Sequence, residues 1–84
     1  MGPLRAKFLA RAAADLEALR GAGIPREAGT VIHRLAGAAG VFGFPELSRL
    51  AGVVDEALHA FGECDPSDMD RLMTELEAVA LTAG

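Results

Sequence analysis

Apolar residues recur at intervals of three and four positions along four stretches of the chain, which is the spacing of one face of an α-helix. Glycine and proline interrupt this spacing at 21–25, 40–45 and 62–66. The pattern therefore predicts four amphipathic helices, each with its own apolar stripe. The predicted stripes are Leu4, Phe8, Ala12, Leu16 and Leu19; Ala28, Val31, Ile32, Leu35 and Ala39; Leu47, Leu50, Ala51, Val54, Leu58 and Phe61; and Met69, Leu72, Met73, Leu76, Val79 and Ala80.

The residues between the stripes indicate where each helix begins and ends. A Gly-Ala-Gly run at 21–23 ends the first helix, because glycine readily takes the left-handed conformation that follows a helix. Pro25 and Pro45 suit the first turns of the second and third helices, where a missing N–H costs nothing. Gly62 ends the third helix, and Asp65 is placed to cap the fourth.

Length and composition favour a helical bundle over a larger or a β-rich fold. The chain has 84 residues, enough for one domain spanning 1–84. Seventeen residues are alanine, which is the best helix former and a poor strand former. Four similar helices joined by short loops pack most economically in an antiparallel up-down-up-down four-helix bundle. We therefore predict an all-α fold with that arrangement.

Charge and cysteine content restrict the partners and the compartment. The net charge of −4 has the wrong sign for a dedicated nucleic-acid binder. The longest uncharged run, 35–45, is too short to span a bilayer, and the N-terminus lacks the core of a signal peptide. The lone cysteine, Cys64, cannot form an internal disulfide, so a reducing compartment is expected. We predict a soluble cytoplasmic protein that binds neither nucleic acid nor membrane.

The second predicted helix carries a histidine on the side away from its apolar stripe. At 100° per residue, His33 points roughly 160° from the middle of the stripe. Its neighbours on that side are unusually small, namely Gly29, Thr30, Ala36, Gly37 and Gly40. Each interior glycine costs about 0.5–1 kcal/mol relative to alanine, so helix stability does not explain the strip.

Two interpretations of these glycines remain open. In the first, they clear space around an exposed imidazole, which is mostly neutral and nucleophilic at cytoplasmic pH. In the second, they allow close approach between helices, and His33 is an ordinary surface residue. The position of the small residues beside the histidine favours the first interpretation.

Residues 33–44, HRLAGAAGVFGF, with two leucines shortly after them, resemble the signature of the histidine-containing phosphotransfer (HPt) domain. That family's pattern is approximately H-x-L-K-G-[SA]-[AS]-x-x-[apolar]-G, followed by a leucine-bearing helix. The resemblance implies that His33 is phosphorylated, that Gly37 keeps its imidazole open, and that Gly43 forms the turn into the next helix. The motif covers about 31–50, whereas the four-helix pattern covers almost the whole chain.

One position departs from the family's pattern. A lysine usually follows the histidine by three residues, and this chain has Ala36 there. The resemblance implies that the lysine supports the phosphoryl group or the docked partner. Arg34, about 100° round the helix, and Arg26, two turns earlier and nearly in line with His33, are both candidates to replace it. We expect Gly29, Gly37 and Gly40 to provide access.

The resemblance further implies reversible phosphoryl transfer between His33 and the phospho-aspartate of a response-regulator receiver domain, with a hybrid histidine kinase as the second partner. The receiver would bring Mg²⁺, so no cofactor or metal is expected in this chain and no enzymatic activity of its own. A neutral imidazole nitrogen, expected to be Nε2, needs no general base beside it. Four helices in one chain favour a monomer. The alternative, favoured by Ala36, is a degenerate HPt-like module that docks signalling proteins without carrying phosphate.

Other candidate residues carry weaker signals. Glu56 and His59 form a Glu-x-x-His pair, but a di-iron bundle needs two such pairs, and Thr30 stands where His33 would need a glutamate. We therefore predict no metal site and interpret His59 as a residue at the solvated rim. Cys64 is interpreted as an incidental thiol.

Overall fold

The computed structural model describes residues 3–21 and 25–82, and of Pro3 and residues 25–27 it describes the backbone alone. Within this part the chain forms four α-helices and no β-strand, which confirms the predicted all-α fold. The helices are α1 (Pro3–Gly21), α2 (Pro25–Val41), α3 (Pro45–Phe61) and α4 (Pro66–Leu81). None of these described helices combines the length and the continuous apolar character that a membrane span requires.

Two glycines form the turns at the ends of α2 and α3. Gly43 has φ 86° and Gly62 has φ 76°, both in the left-handed region that favours glycine. The N–H of Gly62 donates a hydrogen bond to the carbonyl oxygen of Leu58 at 2.9 Å, which ends α3 at the predicted residue.

Asp65 caps the N-terminus of α4, as predicted. Its Oδ1 atom accepts hydrogen bonds from the hydroxyl and from the backbone N–H of Ser67, both at 2.8 Å. The hydroxyl bond and then the backbone bond favour the ionised carboxylate, so they lower the pKa of Asp65 below its ordinary value.

Each helix packs against the next one along the chain, and α1 also packs against α4. Phe8, early in α1, stacks on Phe42, just beyond α2, with ring centroids 5.1 Å apart. Asp15, later in α1, pairs with Arg34, earlier in α2. The later position in α1 thus meets the earlier position in α2. These two helices therefore run in opposite directions, as expected for an up-down-up-down bundle.

The core consists mainly of apolar side chains from the predicted stripes. Met69 and Met73, expected as core filler, are half-buried and pack against it. The largest fully buried side chains are Ile32, Leu35, Leu47, Val54, Leu72 and Leu76.

The stripes were wrong at two helix ends and missed two buried positions on α1. Leu4 and Phe61 are 65% and 80% exposed, because they lie in the first turn of α1 and at the last residue of α3. Leu9 and Asp15 are buried although neither was assigned to a stripe. A helical repeat carries no information on where neighbouring helices stop, so it overestimates burial at helix ends.

Candidate functional site

His33 projects from the middle of α2 with 71% of its side chain exposed. Its neighbours Ile32 and Leu35 are fully buried and anchor this part of the helix in the core. The imidazole is therefore accessible to a partner, yet it is carried by a rigid element of the fold.

A carboxylate from α3 contacts the His33 ring. The Nδ1 atom of His33 lies 3.0 Å from the Oδ2 atom of Asp55. An ionised carboxylate only accepts hydrogen bonds, so in this contact Nδ1 is the donor and carries the proton. In a neutral ring with this tautomer, the free electron pair is on Nε2.

A second histidine lies one helical turn beyond Asp55. The Nδ1 atom of His59 is 3.9 Å from the Oδ1 atom of Asp55, and the ring centroids of His33 and His59 are 6.3 Å apart. Each oxygen of the carboxylate thus faces a different histidine. The sequence-based interpretation treated His59 as a rim residue and did not connect it with His33.

His33, Asp55 and His59 share one open groove between α2 and α3. It is a surface groove rather than a closed cavity, so the side chains in it are open to solvent. The other residues that line it are Gly29, Thr30, Leu58 and Gly62.

The glycines expected to give access fall into two kinds. A Cβ atom added at Gly29 or Gly37 would meet open space, in agreement with an accessible imidazole. A Cβ atom at Gly40 would instead lie 3.3 Å from the Oγ atom of Ser48 on α3. The Ser48 hydroxyl donates a hydrogen bond to the carbonyl oxygen of Ala36 at 2.6 Å, so Gly40 serves the close approach of α2 and α3. Gly40 was expected to give access to His33, whereas its position against Ser48 indicates packing between α2 and α3.

The two arginines expected beside His33 were candidates to replace the missing lysine. The Nη2 atom of Arg34 donates to the Oδ1 atom of the buried Asp15 at 2.7 Å, which turns its guanidinium towards α1. Arg11 also pairs with this carboxylate at 3.3 Å. Arg34 is therefore engaged with α1 and does not line the groove that contains His33. The side chain of Arg26 lies outside the described residues, so its role stays a prediction.

The remaining reactive side chains add no further site. Cys64 is half-buried in the connection between α3 and α4; burial, followed by the charge of Asp68, raises the pKa of its thiol. A raised pKa reduces the thiolate fraction and hence the reactivity of the sulfur. Across residues 3–21 and 25–82, no group of three or more histidine, cysteine or acidic side chains could hold a metal ion.

Asp55 and His59 are the site residues that sequence reasoning missed. Their spacing of four places them on one side of α3, a signal visible in the sequence. The sequence did not show that this side of α3 faces α2, because a helical repeat does not indicate which neighbouring helix a polar flank faces. Since α2 and α3 are consecutive helices joined by a short turn, an antiparallel pairing would have placed 55 near 33.

The described residues thus form a helical bundle with an accessible histidine on α2 whose ring contacts a carboxylate on α3. The comparison with family models identifies the class of protein: the model of the Hpt domain matches residues 3–82. The chain therefore belongs to the Hpt domain family, and the resemblance found in the sequence is confirmed. No curated protein and no solved structure matches the chain.

Membership defines the general function. Hpt domains act in histidine phosphotransfer in two-component signalling, where kinases and response regulators are their partners. They carry phosphoryl groups and are not enzymes in the ordinary sense.

Proposed function

We propose that this chain is a phosphorelay carrier that accepts and donates a phosphoryl group on Nε2 of His33, in exchange with the aspartate of response-regulator receiver domains. The observation that carries the proposal is the 3.0 Å contact between Nδ1 of His33 and Asp55, made by a side chain that stays 71% exposed. This contact prepares Nε2 as the nucleophile and leaves it open to a partner.

The forward step forms one bond and breaks one. The electron pair on Nε2 attacks the phosphorus atom of the receiver's acyl phosphate, the N–P bond forms, and the bond from phosphorus to the aspartate oxygen breaks with its electron pair going to the carboxylate. Nε2 has no proton to lose, so no general base is needed. The ring gains positive charge in this step, and the adjacent carboxylate of Asp55 stabilises it.

The reverse step uses the same groups. A receiver carboxylate attacks the phosphorus atom, the N–P bond breaks, and its electron pair returns to Nε2. Because Nδ1 keeps its proton throughout, the departing imidazole is neutral, and the phosphoryl group can move in either direction according to the partner.

The remaining requirements are assigned to the partner. Phosphoryl transfer needs the charge of the equatorial oxygens to be neutralised, and in this proposal the receiver supplies Mg²⁺ and the acidic pocket that binds it. The chain then requires no cofactor or metal of its own. Open space at Gly29 and Gly37 supports docking of a receiver, or of a hybrid histidine kinase, over this side of α2.

The same proposal covers the setting in which the domain works. A lone cysteine of reduced reactivity suits a cytoplasmic protein, and one chain supplies all four helices, which supports a monomer.

The second candidate is a degenerate HPt-like module that docks signalling proteins without carrying phosphate. The observation behind it is Ala36, at the position where the family usually has lysine.

Transfer from a phosphorylated receiver distinguishes the two. The domain is incubated with each ³²P-labelled receiver of the source organism, and the label on the domain is tested for acid lability and base stability. A carrier acquires such a label in the wild-type chain and loses it in His33→Gln. Binding to a receiver without any labelling of the wild-type domain would instead support the docking module.

A further inference from the structure

A phosphoryl group on His33 would need hydrogen-bond donors in its surroundings. It brings close to two negative charges and three acceptor oxygens. Asp55, on the other side of the ring, adds a further negative charge at 3.0 Å from Nδ1. Without a donor beside the phosphoryl oxygens, the phosphorylated state would face the repulsion of this carboxylate with only water to reduce it.

The described lysine and arginine side chains do not line the groove that contains His33. Arg34, next to it in sequence, is paired with Asp15 on α1. Other arginines pair on the outer surfaces: Arg49 with Glu46, and Arg20 with Glu17 and Glu77. Among the side chains that the structure describes, we therefore look for a donor to the phosphoryl oxygens in the groups that line the groove.

His59 lines the groove and carries an imidazole N–H that can donate a hydrogen bond. Its Nδ1 atom and that of His33 both face the carboxylate of Asp55, so the Nε2 atoms of the two rings lie on the sides away from it. The ring centroids are 6.3 Å apart, a distance comparable with the combined span of an N–P bond, a P–O bond and a hydrogen bond of about 2.8 Å. At 80% exposure, the His59 ring is free to adjust to a group added beside it.

We propose that His59 binds the phosphoryl group of phosphorylated His33, by donating a hydrogen bond from its imidazole N–H to a phosphoryl oxygen. Asp55 then serves both rings, since one oxygen orients the nucleophile and the other faces the phosphoryl-binding histidine. This inference rests on the proposed function and identifies a second working histidine in it. Its consequence is thermodynamic, because His59 favours the phosphorylated state of His33 over that of the receiver.

The test measures how phosphoryl groups partition between the domain and a receiver at equilibrium. The domain is first phosphorylated with phosphoramidate, a small donor that needs no protein partner, and its ³¹P NMR spectrum is recorded. A receiver with Mg²⁺ is then added, and phospho-histidine and phospho-aspartate are quantified. Three variants are compared with the wild type: His59→Phe removes the donor, His59→Gln keeps one, and Ala60→Phe adds an aromatic ring at an exposed α3 position outside the groove.

We expect His59→Phe to shift the partition about fivefold towards the receiver and to move the ³¹P resonance of phospho-His33, as loss of one exposed, charge-assisted hydrogen bond would do. His59→Gln should shift it less, and Ala60→Phe should match the wild type. An unchanged partition and an unchanged ³¹P resonance in His59→Phe would overturn the inference while leaving the proposed function intact. A wild-type domain that forms no phosphohistidine with phosphoramidate or receiver would overturn both.

Discussion

The Nδ1 atom of His33 on α2 lies 3.0 Å from the Oδ2 atom of Asp55 on α3, and these two helices make the most extensive contact in the described bundle. The orientation of the nucleophile therefore depends on the packing of two helices and not on α2 alone. Ser48 reinforces that packing by donating a hydrogen bond to the carbonyl oxygen of Ala36.

Replacing Asp55 by asparagine should slow phosphoryl transfer about tenfold. Removing a group that orients and polarises an imidazole typically costs about 10-fold to 100-fold in activity, and the retained amide oxygen places this change at the low end of that range. The amide oxygen can still accept a hydrogen bond from Nδ1, but it cannot stabilise the positive charge that develops on the ring. Rapid-quench measurement of transfer from a phosphorylated receiver gives the rate. Glu56→Gln is the matched control, because Glu56 is an adjacent exposed carboxylate outside the groove. Equal rates in the two variants would remove Asp55 from the mechanism.

Substituting glutamine for Gly37 or for Gly40 should have opposite effects on stability. At Gly37 the new side chain meets open space and gains about 1 kcal/mol of helix propensity, so the Tm should stay the same or rise while transfer is strongly reduced. At Gly40 the Cβ atom meets the Ser48 hydroxyl, so the Tm should fall. Thermal melts followed by circular dichroism measure both. A lower Tm for Gly37→Gln would show that this glycine serves packing instead of access.

Helix boundaries and helix contacts differ in how far the sequence predicts them. The C-terminus of α3 and the N-terminus of α4 were predictable, because Gly62 and Asp65 act through hydrogen bonds within a few residues of themselves. The difference between Gly37 and Gly40 was not, since it depends on which flank of α2 meets Ser48.

The same limit applies to Arg34. It was one of two candidates to replace the missing lysine, and its position about 100° round the helix from His33 left open which neighbouring helix it meets. The carboxylate that binds Arg34 belongs to Asp15, nineteen residues earlier on α1. An internal carboxylate on an otherwise apolar flank of a helix is a signal that such a partner exists, but it does not identify the partner.

Replacing Arg34 by methionine should lower the free energy of unfolding by about 2 kcal/mol. This is less than the cost of removing one partner of a fully buried ion pair, because Arg11 still pairs with Asp15. Urea denaturation measures the change in the free energy of unfolding. Adding Asp15→Leu to the same chain should recover most of the loss, since no uncompensated buried charge then remains. Unchanged stability with slower transfer in Arg34→Met would instead assign Arg34 to the support of the phosphoryl group.

Replacing the helix cap Asp65 by alanine should lower the Tm by a few degrees at neutral pH. Because the pKa of Asp65 is lower in the folded chain, its stabilising effect is present above the ordinary aspartate pKa and is lost as the pH falls through the folded value. The difference in Tm between wild type and Asp65→Ala should therefore shrink as the pH falls below about 4. Asp70→Ala, at an exposed position within α4, is the control and should show little difference at either pH. A gap in Tm as large at low pH as at neutral pH would contradict a contribution of the ionised carboxylate to the cap.

In the proposed mechanism, Nε2 of His33 carries the phosphoryl group while Nδ1 keeps its proton and donates it in a hydrogen bond to Asp55. Long-range ¹H–¹⁵N NMR spectra of the ¹⁵N-labelled domain, recorded before and after transfer from a phosphorylated receiver, test this claim most directly. They should show protonated Nδ1 in both states and, after transfer, phosphorylated Nε2 at His33, with His59 unmodified. Phosphorylation at Nδ1 of His33, or on the ring of His59, would contradict the account.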